Sequence, residues 1–182
     1  AVALMQRAAH QTPLLRTRFQ VLGAGTRALD GMPVDAVTSV TAAEMGLDLA
    51  AARSRRLRDE QVRSAALILT ATREHRAILL SEVPDALRRT FTLLELADLV
   101  RLPSVRSAAS PAQLVASAAA HRGDCTLQDP DIHDPVGGTL DRHRAVALQI
   151  DTAVAVVFRA LAAACRHGTE GDDAGDRSAI RR

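Results

Sequence analysis

Short apolar runs alternate along this chain with longer stretches in which apolar residues recur every three or four positions. Gln20-Val21-Leu22-Gly23 reads as a strand closed by the glycine-rich Gly23-Ala24-Gly25-Thr26. Ala36 to Met45 reads as a helix stopped by Gly46, since glycine tolerates the left-handed conformation that ends many helices. Ala65 to Thr70 is an apolar run suited to a buried strand, and Arg73 to Glu82 follows as a helix halted before Pro84. Thr90-Phe91-Thr92-Leu93 is a third strand candidate. Strand–helix alternation of this kind predicts a parallel sheet covered by helices.

Residues 101–130 are less regular. Ser110-Pro111-Ala112-Gln113 marks a helix start. Ser110 can cap, Pro111 suits the first helical position and Gln113 completes a capping box. This helix should end near Arg122, before Gly123. The fullest helical pattern lies at 139–165, where Val146, Ile150, Val154, Val157, Leu161 and Cys165 form one apolar stripe. Cys165 therefore reads as a core residue. From Gly168 the chain is polar, mixed in charge and aperiodic, which predicts a disordered tail over 168–182. The domain thus spans 1–167, and there is no internal repeat.

Composition narrows the function. Net charge is +2, from 23 basic and 21 acidic residues, which is too balanced to argue for nucleic acid. The basic residues are all Arg, there is no Trp or Tyr, and Phe occurs three times. A stacking platform for bases or sugars is not expected. Two unclustered cysteines fit neither a disulfide framework nor a metal site. His10, His121, His143 and His167 have no metal-ligand spacing, and His75 and His133 read as structural or solvated. No uninterrupted apolar run has the roughly 18 residues of a membrane span. A cytoplasmic, bacterial-type protein without metal, cofactor, nucleic acid or membrane is the simplest expectation. The sequence begins at Ala rather than Met, which fits either removal of an initiator or a fragment.

Four segments, in order, resemble the low-molecular-weight protein tyrosine phosphatases. The first is Gly23-Ala24-Gly25-Thr26 with Arg27 to Pro33. The second is Gly46-Leu47-Asp48 leading to Arg53-Ser54-Arg55-Arg56-Leu57. The third is Leu67 to His75. The fourth is Arg89 to Leu93 with Glu95-Leu96-Ala97, followed downstream by Asp131-Ile132-His133-Asp134-Pro135-Val136-Gly137-Gly138. The resemblance covers residues 20–160, and the bacterial members linked to exopolysaccharide tyrosine kinases are the most alike. It implies a three-layer αβα sandwich with a small parallel four-stranded sheet of order 2-1-3-4. It also implies a site at the C-terminal ends of the strands, an insertion at about 101–130, and Asp134 as the general acid. A phosphoprotein, or a tyrosine kinase of exopolysaccharide export, would be the partner.

The chemistry of that family needs a thiolate held by backbone N–H groups at a helix N-terminus. An Arg six residues beyond the Cys grips the phosphoryl oxygens, and an Asp protonates the leaving oxygen. Here the residues six beyond Cys125 and Cys165 are Asp131 and Gly171, so neither begins such a loop. Two N-terminal registers fit the family. In the first, Arg7 takes the phosphate-binding Arg position, Ala1 the nucleophile position, and the central strand would lie upstream of Ala1. In the second, Ala1 to Leu4 form the first strand, Met5 replaces Cys and Gln11 replaces Arg. The family's loop Asn is missing from both, and the His that supports it falls at Ala52. Val136 stands where an aromatic usually follows the acid. The resemblance therefore implies a catalytically inactive, protein- or anion-binding domain. The alternative is an active phosphatase whose nucleophile is missing through truncation.

Overall fold

A computed structural model describes the backbone of residues 1–176 and the side chains of residues 1–167. The chain opens with α1 (Val2–Gln11) and the single turn α2 (Pro13–Arg16). Then follow α3 (Ala36–Glu44), α4 (Asp59–Ser64), β1 (Ile68–Thr70) and α5 (Arg73–Glu82). A 3-10 turn (Pro84–Arg89) leads into β2 (Thr90–Thr92) and α6 (Leu93–Leu99). The chain continues through α7 (Pro103–Arg106), α8 (Pro111–Ala120), a 3-10 turn (Arg122–Asp124) and α9 (Leu140–Asp176).

Local chemistry fixes most of these boundaries. Asp35 caps α3 by accepting from Thr38 N at 2.9 Å. Gly46, at φ +72°, ends that helix, and Leu47 N donates back to Ala42 O. Thr72 caps α5 and Ser110 caps α8. Thr92 and Glu95 form a reciprocal capping box at the start of α6.

β1 and β2 pair in parallel, with Ile68 opposite Thr90, Leu69 opposite Phe91 and Thr70 opposite Thr92. This α/β fold is thus mostly helical, and its sheet has two strands among the described residues rather than the expected four. The difference lies in the N-terminal half. Val2–Gln11 is helical, so the strand read at Ala1 to Leu4 in one register does not form. Its composition of Ala, Leu, Met, Gln and Arg favours that helix. With no strand between them, the expected strand at Gln20–Gly23 joins no ladder; Gly25 alone makes a parallel bridge, to Arg56.

One main core gathers Leu15, Phe91, Leu96, Leu99, Val154, Val157 and Leu161. α9 is its axis and packs against α1, α3, α6 and α8. By length and composition alone Leu140–His167 is also long and apolar enough to cross a membrane, but its Val154, Val157, Leu161 and Cys165 face this core. A smaller cluster joins Val62, Leu79, Val83 and Ala86.

Residues 101–130 contribute to the core. Val105, Ala108, Leu114 and Ala118 belong to the main core, and burying a Leu such as Leu114 contributes roughly 1.5–3 kcal/mol. The expected helix near 112–122 is α8, at Pro111–Ala120. The tail predicted to be disordered from Gly168 begins beyond the described side chains, and 177–182 lie outside the described residues.

Candidate functional site

The four segments that carry the resemblance converge in two joined units. In the first, Gly25 N donates to Arg55 O and Leu57 N to Gly25 O, which ties the glycine-rich turn to the Arg53–Leu57 stretch. Arg56 N donates to Asp30 Oδ1 at 2.6 Å. Ser54 Oγ bridges the same two segments, donating to Leu29 O and accepting from Met32 N. Gly23 lies against Val2, so close that a side chain there would collide with it. The glycine-rich turn therefore meets the N-terminal end of α1.

In the second unit, the strands carry the loop of Asp131 to Gly138, where the resemblance puts the acid. Ile132 N donates to Ala71 O, one residue beyond β1, at 2.9 Å. Thr92 Oγ1, at the end of β2, donates to Pro130 O at 2.8 Å. Asp131 accepts from the backbone N of Arg73 at 2.8 Å and from its Nε at 3.2 Å, while Arg73 Nη2 reaches Asp129 at 2.9 Å. His133 Nε2 also meets Asp129. This hydrogen bond, more than the neighbouring cations, holds the Asp129 carboxyl below its usual range. The loop thus sits over the C-terminal ends of both strands, where ligands bind in open α/β sheets. An exposed Arg27–Glu74 ion pair of 2.9 Å links the two units.

Asp134 is exposed at the tip of this loop. Its Oδ1 accepts from Val136 N at 3.0 Å, forming a small turn that Gly137, at φ +78°, completes. Val136 is 67% exposed, so it offers no wall for a substrate ring.

Arg7 is not in a loop. It lies inside α1, donating to Met45 O at 2.7 Å and to Asp151 at 2.9 Å. Asp151 is about 16 Å along α9 from Leu140, at 1.5 Å of rise per residue. The structure therefore holds Arg7 against the middle of α9, while Asp134 precedes the start of that helix. Neither N-terminal register's loop is seen, because Val2–Gln11 is helical throughout. Ala52, at the position of the supporting His, is half-buried beside the Arg53–Pro33 bridge.

The thiols lie elsewhere. Cys165 is 1% exposed in the core face of α9. Cys125 follows the second 3-10 turn beside Asp98, and burial first, then that carboxylate, push its thiol pKa up. A nucleophilic thiolate needs the opposite field. Among the described residues no group of three His, Cys, Asp or Glu is placed to hold a metal ion.

A buried network escaped the sequence reading. Glu95, 5% exposed, accepts from Arg76 at 2.6 Å and from Arg122 at 3.2 Å. Arg122 also lies 4.4 Å over the Phe91 ring and donates to Thr90 O and Leu87 O. Burial lowers the pKa of Arg122, an effect that Glu95 opposes. Thr92-x-x-Glu95 has the spacing of a capping box, a signal the strand assignment of Thr92 passed over, and the two arginines that converge on Glu95 leave no such signal.

No family model and no curated protein matches the sequence. Solved structures do. The chain is similar to the YwlE arginine phosphatase from Geobacillus stearothermophilus, at 22% identity and TM-score 0.60 over 88% of this chain and 85% of that one. A mutant YwlE arginine phosphatase with a phosphorylated active-site serine aligns at 21% identity and TM-score 0.66, over 88% and 84%. The low-molecular-weight protein tyrosine phosphatase from T. tengcongensis aligns at 19% identity and TM-score 0.63, over 86% and 88%. The chain has the low-molecular-weight phosphatase fold.

Proposed function

We propose that this chain is a low-molecular-weight phosphatase-like domain that binds an anion or a protein partner without transferring a phosphoryl group. One observation carries the reading. The acid loop is fastened in place at the strand ends, while neither thiol has the setting of a nucleophile. An acid positioned over a site without a nucleophile has no phosphoenzyme to resolve. Asp134 would be the positional equivalent of the family's acid. Arg7 could serve a phosphate only by leaving Met45 O and Asp151. A phosphoprotein, or a tyrosine kinase of exopolysaccharide export, is the partner this reading favours, in a bacterial cytoplasm.

A second reading has its own support. β1 makes no backbone hydrogen bond on the edge away from β2 among the described residues, and Leu67, Ile68 and Leu69 are only half-buried. A strand order of 2-1-3-4 would place another strand there. An active phosphatase on this fold would need such a strand, with its Cys-x5-Arg loop, in addition to these 182 residues.

The test is an assay of the chain with para-nitrophenyl phosphate, a phosphotyrosine peptide and phosphoarginine, the last because two of the similar structures are arginine phosphatases. No turnover is expected. Hydrolysis at enzymatic rates by a longer natural form containing Cys-x5-Arg would establish the second reading.

A further inference from the structure

Asp30–Gly31 is the single Asp–Gly step of this chain, which contains no Asn. Both residues are exposed. Gly31 sits at φ +83°, and beyond its chain neighbours nothing lies within 4 Å of where a side chain would stand. The left-handed backbone explains the glycine. It has a chemical consequence as well. A residue with a Cβ shields its own backbone nitrogen from the carboxyl group of a preceding Asp, and glycine does not.

Both groups that would react are held by the same neighbouring stretch. Gly31 N donates to Ser54 O at 2.9 Å. Asp30 Oδ1 accepts from Arg56 N at 2.6 Å. Ser54 ties the turn on either side of the pair. Its N donates to Met32 O at 2.9 Å, and its Oγ donates to Leu29 O and accepts from Met32 N. Attack on the carboxyl needs a Gly31 nitrogen that has lost its proton. A proton bonded to Ser54 O reaches solvent only when the turn opens.

We propose that Asp30–Gly31 is a site of spontaneous isoaspartate formation that Ser54 and Arg56 keep shut. When the turn opens, the Gly31 nitrogen attacks Asp30 Cγ and a C–N bond forms. The nitrogen's proton and the hydroxyl of the protonated carboxyl leave as water, closing a succinimide ring. Water then opens the ring at either carbonyl. Cleavage at Cγ restores Asp30. Cleavage at the main-chain carbon leaves the backbone running through the Asp30 side chain. One water leaves and one returns, and nothing is oxidised or reduced. The isoaspartate product does not reseat, because a methylene now lies in the main chain before Gly31. Its nitrogen and the new carboxylate no longer match Ser54 O and Arg56 N together. A transient opening of the unit that joins the glycine-rich turn to Arg53–Leu57 thus becomes permanent. None of this depends on Asp134 or on phosphoryl transfer.

The competing explanation is that Asp–Gly serves only as a tight turn and stays intact. The full chain is incubated at neutral pH beside a peptide spanning Arg27 to Pro33. Isoaspartate at position 30 is then quantified by peptide mapping and enzymatic methylation. The peptide should convert, and the folded chain should convert about tenfold more slowly or less, because two backbone hydrogen bonds must open first. Urea below the unfolding transition, and separately Ser54→Ala, should raise Gly31 N–H exchange and isoaspartate yield in the same proportion. The urea series keeps the test decisive if Ser54→Ala misfolds. Asp30→Glu should abolish the signal. Converted chain should show faster exchange at Gly31 and Arg56 than unconverted chain. Equal rates in folded chain and peptide would overturn the proposal, as would no conversion in urea. So would Gly31 exchange that quickens without added conversion, or a converted chain whose Gly31 and Arg56 exchange is unchanged.

Discussion

Two clusters of arginine and carboxylate flank the same pair of strands, and they differ in almost everything but composition. At the Glu95 cluster, the carboxylate is 6% exposed in its side chain and its arginines 22% and 25%. It ties α5, β2, α6 and the 101–130 segment into one body. At the acid loop, Arg73 and Asp129 are about half exposed, and Asp131 alone is sheltered. The first cluster is structural because none of its charges can be left unpaired. The second sits in water, where a lost pair is rehydrated at little cost. In this molecule, then, the buried charges hold the fold, and the residues that resemble catalytic machinery hang from it.

The largest expected effect is at Glu95. Glu95→Gln leaves Arg76 and Arg122 without their countercharge and should cost about 3–5 kcal/mol in chemical denaturation. A loss below about 1 kcal/mol would mean that the cluster is wetter than its burial indicates and would erase the contrast. Leu114→Ala comes next, at about 2–5 kcal/mol, because Leu114 is 1% exposed in the main core. A surface insertion would lose well under 1 kcal/mol instead.

On the exposed side, Arg73→Ala should change stability by less than about 1 kcal/mol while accelerating hydrogen exchange through 129–134. The same loop should respond to acid. Asp129 has its folded pKa depressed, chiefly by the His133 hydrogen bond. Its contribution is therefore present above the unfolded value of about 4 and lost as pH falls through the folded one. Loop exchange, corrected for intrinsic rates, should quicken over that acidic window. Asp129→Asn should remove the pH dependence, and a loop that behaves identically in the variant would sever Asp129 from its anchoring. The smallest effect is expected for Asp134→Asn, within about ±0.5 kcal/mol, since its hydrogen bond to Val136 N closes only a local turn.

Much of this arrangement was legible in the sequence. The stripe from Val146 to Cys165 does face the core, and Gly46 ends α3 in the left-handed conformation expected of it. Ser110 caps α8 as its spacing predicts. The convergence of Asp131 with Arg73 was not legible, because a contact between residues 58 apart leaves no periodic trace. The burial of residues 101–130 was not legible for a related reason. Their buried positions include Ala108 and Ala118, and small residues give a weak apolar stripe even where helices pack closely. The N-terminal readings gave precedence to a resemblance over the helix-forming composition of Val2–Gln11, and the helix formed. Arg7 was accordingly carried onto a loop position when its partners are Met45 and Asp151.

The central proposal is that Asp134, at the position of the family's acid, has no nucleophile to serve. It is tested most directly by measuring hydrolysis of para-nitrophenyl phosphate by the purified 182-residue chain beside Asp134→Ala and a Cys125→Ser/Cys165→Ser double variant. The account predicts background rates for all three proteins. Turnover in the enzyme range that disappears in Asp134→Ala or in the cysteine double variant would contradict it.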